Sequence, residues 1–255
     1  MSEHDEIRDE QSSSQRVTVE RLLEALQCGE IVEELGLMRW SSNYTFLVSI
    51  VHHDVKVMAI YKPQKGERPL WDFPDGTLCL RELAAFLTSH ELGWNLVPPT
   101  VVRDGPRGFG SVQYYIEHDP EQNYFSFDES IRPQLQRLAA FDYVINNADR
   151  KGGHCLLDSE GQLWAIDHGI AFHSAPKLRT VIWDFAGQPV PEPLLDDLER
   201  LAAVLDDEKT PYRQALGRLL SPHEINTFRA RVRHLLKTRR YPLPGAGPNY
   251  PWPPV

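Results

Sequence analysis

The stretch from Asp142 to Asp167 constrains this chain more than any other part of it. It reads FDYVINNADRKGGH (141–154), then CLLD, a polar turn at Ser159–Gln162, and LWAID, ending in Ile166-Asp167-His168-Gly169. Two short apolar runs around a polar turn predict a β-hairpin. A hairpin returns the chain to where it began, so Asp167 is expected beside Asp149 and His154. Phosphoryl transfer needs a carboxylate that orients or deprotonates the attacking hydroxyl and another that holds metal against the phosphates. A second metal ligand helps, and this stretch offers all three groups. Asp-His-Gly at a strand end also suits a tight turn.

Composition sets the limits. The 255 residues are 41% hydrophobic and 25% charged, with a formal net charge of −9. Such a chain buries a sizeable core. Its charge argues against a nucleic-acid partner and against electrostatic docking on a membrane. A local basic pocket for a triphosphate needs only two or three cations and is compatible with it. No apolar run has the length of a membrane span, and MSEHDEIRDEQSSSQ has no signal-peptide pattern. The expectation is a cytoplasmic protein. Cys28, Cys79 and Cys155 stand apart in apolar contexts and read as reduced, mostly buried thiols.

Along the chain, residues 1–15 are polar and predict a disordered arm. Thr18 precedes an apolar stripe (Val19, Leu22, Leu23, Leu26) at helical spacing that stops at Gly29. Residues 44–51 and 55–62 form a predicted hairpin, and 62–76 a loop rich in Pro and Gly. Leu80, Leu83, Ala84 and Leu87 mark a second helix, and strands are expected at 100–103 and 110–117. The second half is mainly helical. Ser221-Pro222-His223-Glu224 has the pattern of a capping box with Pro in the first turn. The Pro-rich 241–255 predicts an extended tail.

The run DYVINNADRKGGH with AIDHGIAF downstream resembles the catalytic and metal-binding loops of the phosphatidylinositol 3- and 4-kinase superfamily, which includes atypical protein kinases. The whole chain resembles an actinobacterial group of kinase-like proteins. The resemblance implies an α+β, two-lobed protein-kinase-like fold. Residues 16–117 would form a small sheet-bearing N-lobe and 118–240 a mainly helical C-lobe with nucleotide between them. It gives Asp149 the place of the catalytic aspartate, with Asn147 and Arg150 beside it, and Asp167 that of the metal-binding aspartate. Lys62, ending VMAIYK, matches the phosphate-neutralising lysine, and Glu82 its acidic partner. The alternative for Glu82 is a solvated pair with Arg81. The phosphate-covering turn falls on Ser41, Ser42 and Asn43, which lack the usual glycines, and the base-contacting hinge near Tyr115–His118, including Glu117.

One position departs from the family. Five residues past Asp149, where the family has Asn, stands His154. Imidazole suits Mn²⁺ better than Mg²⁺, so manganese is the expected metal if His154 is a ligand and not a packing residue. The implied activity is transfer of the γ-phosphoryl of ATP or GTP to a hydroxyl, a protein Ser or Thr, with the chain's own Ser12–Ser14 among the candidates. Alternatives are a nucleotide-binding pseudokinase module, a lipid or small-molecule kinase, and nucleotidyl transfer on the same scaffold.

Overall fold

In the computed structural model, residues 18–37 and 44–255 are described. The first part of the chain builds a five-stranded antiparallel sheet in the order β1-β2-β3-β5-β4. These strands are Glu30–Leu37, Phe46–His52, Val55–Pro63, Gly108–Tyr114 and Thr100–Gly105, numbered β1, β2, β3, β5 and β4 respectively. The sequence reading gives no strand at 30–37. There, all but one residue of β1 is exposed, so the alternation that betrays a half-buried strand is missing, and register shifts break its pairing with β2. The expected strand 110–117 ends earlier, at Tyr114, leaving Glu117 exposed in the segment beyond the sheet.

Helix α1 (Val19–Cys28) lays Leu22 and Leu26 on the sheet against Val48, Ile50, Ala59, Val101 and Val112. It is capped by the Thr18 hydroxyl and stops where the side chain of any other residue at Gly29 would collide with the Ala25 carbonyl and Ile50. Cys28 is exposed, contrary to the expectation for it, because it lies on the outer face of this helix; Cys79 and Cys155 are buried. Helix α2 (Leu78–Glu91) follows the 64–77 loop, whose Glu67 carboxylate accepts the Leu78 and Cys79 N–H groups at 3.2 and 2.8 Å and so caps it.

The remainder carries four α-helices, the hairpin β6 (Cys155–Leu157) and β7 (Leu163–Ala165), and the irregular segments that join them. Helices α3 (Arg132–Ile145), α4 (Glu192–Asp206), α5 (Pro211–Leu219) and α6 (Pro222–Thr238) enclose the larger core, which includes Phe141, Phe172, Leu198, Leu216 and Phe228. The capping box at Ser221 is present: the Ser221 hydroxyl accepts from Glu224 N–H, and Glu224 accepts from Ser221 N–H at 2.9 Å. The chain is therefore an α+β protein of two lobes, a sheet-bearing one and a helical one.

Several ties cross between the lobes. Arg81 and Glu82 are both buried, so the solvated pair considered for them is not formed. Arg81 instead reaches Glu224 of α6 at 2.5 Å and the Ala171 carbonyl at 2.8 Å. On the 64–77 loop, Asp72 pairs with Lys177 at 2.5 Å, and the Asp72 carbonyl meets His173 Nε2 at 2.9 Å. The tail beyond Tyr241 has no helix or strand and folds back against the helical lobe.

Candidate active site

Lys62 is delivered by β3, next to Pro63 at the strand end and opposite Ser111 of β5. Its ammonium donates to Glu82 Oε1 at 2.6 Å and to Asp167 Oδ1 at 3.0 Å. Burial alone would lower the Lys62 pKa, but the carboxylates of Asp167 and Glu82 outweigh it and hold it above its ordinary value. Glu82 spends its other oxygen on the His168 N–H at 2.9 Å. One lysine thus links the sheet, α2 and the segment after β7.

Asp167 follows the hairpin by two residues, as the returning chain requires. Its backbone has φ +63°, a left-handed conformation that Asp adopts more readily than a bulky residue. The Lys62 charge, against the opposing cost of burial, keeps its carboxyl well below the usual carboxylate range. Asp149, Asp167 and His154 come together: one ligand atom from each lies within 4.8 Å of the other two. The hairpin delivers the constellation that the sequence anticipates.

His154 shows why such a group suits a cation. Its Nδ1 lies 3.0 Å from the Asp149 carbonyl oxygen, and its Nε2 lies 3.4 Å from Asp167 Oδ2. Burial lowers its pKa to about 4, although the Asp167 charge works the other way, so the ring is neutral at pH 7 and carries one proton. Both neighbours are acceptors, and one proton serves only one of them. With that proton on Nδ1, at the shorter contact, the Nε2 lone pair and the Asp167 carboxylate confront each other as two bare acceptors. Asp167 and the His154 Nε2 would hold a divalent cation, and the Asp149 carbonyl orients the ring as outer-shell partners of ligating histidines do. Burial raises Asp149 to a pKa of about 6; the Lys151 ammonium opposes this and the Asp167 charge adds to it.

Arg150 and Asn147, expected among the catalytic residues, are both buried and engaged in the scaffold. Arg150 makes a two-pronged pair with Asp142, at 2.9 and 3.0 Å, and donates to the carbonyls of His154 and Ile166 at 3.1 and 2.8 Å. Its remaining contact is His168 Nε2, at 2.7 Å. Asn147 donates to Asp142 at 2.9 Å and accepts the Asp149 N–H at 3.1 Å. The guanidinium therefore fixes the backbone just before Asp167 and at His154, and the amide fixes it at Asp149. Both side chains are buried and held in these contacts.

Three residues that matter here carried no catalytic, binding or metal-ligating role in the sequence reading, which took His168 for a packing residue. Asp142 is the buried anion on which Arg150 and Asn147 converge. Its signal is an Asp on the apolar face of a helix, five residues before the Asn. His168 is fully buried, edge-on to Phe141, and burial holds it neutral. Asn146 ends α3 with φ +55° and binds the carbonyls of His173 and Ala175 and the Lys177 N–H. Ser41, Ser42 and Asn43 lie outside the described residues. Glu117 is exposed, and among the described residues no hydrogen bond or ion pair joins it to the groups above.

Over residues 6–214 the chain matches the family model described as phosphatidylinositol 3- and 4-kinase. Protein Rv2133c of Mycobacterium tuberculosis is 39% identical over 254 residues, which cover 86% of this chain and 90% of that protein. Among solved structures, hydra Fam20 determined with sugar is similar with a TM-score of 0.57 at 13% identity, covering 88% of this chain and 89% of its own. The Helicobacter pylori proinflammatory kinase CtkA has a TM-score of 0.50 at 13% identity, covering 85% and 94%. At these identities the likeness shows the two-lobed kinase-like fold alone.

Proposed function

Because the chain belongs to the phosphatidylinositol 3- and 4-kinase family, we propose that it transfers the γ-phosphoryl of a nucleoside triphosphate, ATP or GTP, to a protein Ser or Thr hydroxyl, its own included. The observation that carries this reading is the joining of Lys62, Glu82 and Asp167 to the Asp149–His154–Asp167 group.

Lys62 neutralises phosphate oxygens, and Glu82 keeps it extended across the cleft. Asp149 orients the acceptor hydroxyl and takes its proton as the oxygen attacks the γ-phosphorus. The bond from that phosphorus to the bridging oxygen breaks, and the nucleoside diphosphate leaves with the electron pair. A carboxylate held at a pKa of about 6 is a stronger base than an ordinary one. Asp167 and His154, with Asp149 in reach, would hold the divalent cation, which offsets charge on the β and γ phosphates when bound. An imidazole among carboxylates favours Mn²⁺, since Mg²⁺ demands oxygen donors in near-ideal octahedral array.

Intact-mass measurement after incubation with nucleotide and Mn²⁺ tests the reading. One added phosphate on the chain or on a protein acceptor is expected. An added nucleoside monophosphate would assign nucleotidyl transfer instead, and nucleotide binding without any product would make the chain a regulatory module. Wild type is expected to prefer Mn²⁺, and His154→Asn, which restores the family residue, to shift the preference toward Mg²⁺. An identical metal ratio in both proteins removes His154 from the ligand set.

A further inference from the structure

The strand-like segment 179–181 is the outer support of the loop that carries Asp149. Arg179 N–H donates to the Asn147 carbonyl at 3.0 Å, Arg150 N–H to the Arg179 carbonyl at 2.9 Å, and Val181 N–H to the Arg150 carbonyl at 3.1 Å. Asp149 therefore stands between two residues that are pinned to this segment. The segment itself has a second edge, and the C-terminal tail covers it. Asn249 offers one carbonyl to two donors, the buried Thr180 N–H at 3.0 Å and the Trp183 indole N–H at 3.0 Å. Further on, the Pro254 carbonyl accepts the Gly152 N–H at 2.8 Å, three residues past Asp149.

The tail has the means to hold this carbonyl in place. The Asn249 side chain closes a turn on Gly245, accepting its N–H at 2.9 Å and donating to its carbonyl at 2.7 Å. A Pro-rich segment loses little conformational freedom when fixed, since its unfolded form is already restricted. The tail's tryptophan takes no part: Trp252 is 89% exposed. The contacts to the catalytic loop and its support run through two backbone carbonyls, that of Asn249 at the asparagine turn and that of Pro254 beyond it.

We propose that the tail from Gly245 to Pro254 is a working part of the catalytic centre, with Asn249 as a positioning residue that holds Asp149 through segment 179–181. The proposal rests on Asp149 serving as the catalytic and metal-proximal carboxylate. Removing the tail leaves three N–H donors without acceptors and the Asp149 loop supported on one side only.

The test uses the full chain, a truncation lacking residues 249–255, the milder Asn249→Ala, and Trp252→Ala. Amide hydrogen exchange should accelerate at 147–152 and 179–183 in the truncation and in Asn249→Ala, and stay unchanged in α6. Mn²⁺ affinity, titrated on the protein without nucleotide, should fall by about tenfold or more, the scale on which loss of outer-shell support weakens a metal site. In phosphoryl transfer, kcat should fall with the nucleotide KM nearly unchanged. Trp252→Ala should behave as wild type in all of these.

Unchanged exchange at 147–152 and unchanged Mn²⁺ affinity in the truncation would overturn the proposal. So would faster turnover on truncation, which would make the tail a cover over the acceptor side, or a loss in Trp252→Ala equal to that of the truncation. Global exchange rising in α6 together with loss of nucleotide binding would reduce the tail to general stabilisation and overturn it as well. If wild type transfers no phosphoryl group, the proposed function fails while exchange and metal affinity still decide the role of the tail.

Discussion

Replacing Asp142 by Asn should weaken both the fold and the metal site, though Asp142 touches neither nucleotide nor cation. The Asp142–Arg150 pair is fully buried on both sides and two-pronged, with contacts of 2.9 and 3.0 Å. Removing one charge of such a pair leaves the other buried without compensation, a loss of about 3–5 kcal/mol. Against a typical domain stability of about 5–15 kcal/mol the variant should remain folded at 25 °C, with a clearly lowered urea midpoint. The amide oxygen can still accept from Asn147 and Arg150 Nη2, while its NH2 faces the Arg150 Nε–H, so the loss combines the charge with one hydrogen bond. The second consequence is local. Arg150 also holds the carbonyls of His154 and Ile166, and a guanidinium that shifts after losing its counter-ion loosens the residues beside the metal. Affinity for Mn²⁺ should fall by about 10–100-fold, the usual range for a lost outer-shell partner. Urea unfolding gives the first quantity and metal titration below the unfolding range gives the second. A loss under about 1 kcal/mol, the scale of an exposed pair, would refute the argument from burial. Unchanged Mn²⁺ affinity would refute the link from Arg150 to the metal site.

Lys62→Met should weaken nucleotide binding by about 1.5–3 kcal/mol, the range for a hydrogen bond to a charged group, read by calorimetry; an unchanged Kd would make Lys62 a structural tether of Glu82 and Asp167 only. Asp167→Ala should abolish metal-dependent nucleotide binding while far-ultraviolet circular dichroism stays native, and retained binding would move the metal elsewhere. Glu224 supplies a pH test of the interlobe pair. Burial raises its pKa, but Arg81 outweighs this and holds it below the ordinary 4.5. A lowered folded pKa means that its stabilisation is complete above about pH 4.5 and is lost as pH falls through the folded value. The difference in melting temperature between wild type and Glu224→Gln should therefore be full at pH 6 and shrink below pH 4.5. A difference that grows on acidification would reverse the sign of the argument.

Much of the site was legible because hairpin geometry is local: two apolar runs and a turn suffice to bring Asp167 back to Asp149 and His154. Lys62 was legible as the last charged residue of a strand and Glu82 from its helix, but only the family pattern joined them. The strand at 30–37 was not legible, since an exposed edge strand carries no burial alternation. Nor was the placement of Arg150. An Asp-Arg pair in a polar loop gives no hint that the arginine turns inward, because its counter-ion, Asp142, lies on the preceding helix. The Arg81–Glu224 pair spans 143 positions, a separation at which no periodicity or capping rule applies. The proline tail was read as extended, and its docking depends on backbone carbonyls, which have no signature in side-chain chemistry.

The adjacent residues Arg81 and Glu82 give α2 a mechanical character. Glu82 fastens the helix to the sheet through Lys62 and to the helical lobe through the His168 N–H, while Arg81 fastens it again through Glu224. Rotating α2 far enough to withdraw Glu82 from the cleft would also pull a buried guanidinium from its partner, at about 3–5 kcal/mol. At 1.4 kcal/mol per factor of ten, an orientation with the helix turned away is depopulated by about a hundredfold or more. The helix is a rivet and not a lever, so control of this enzyme has to enter through its loops, its tail or its substrates.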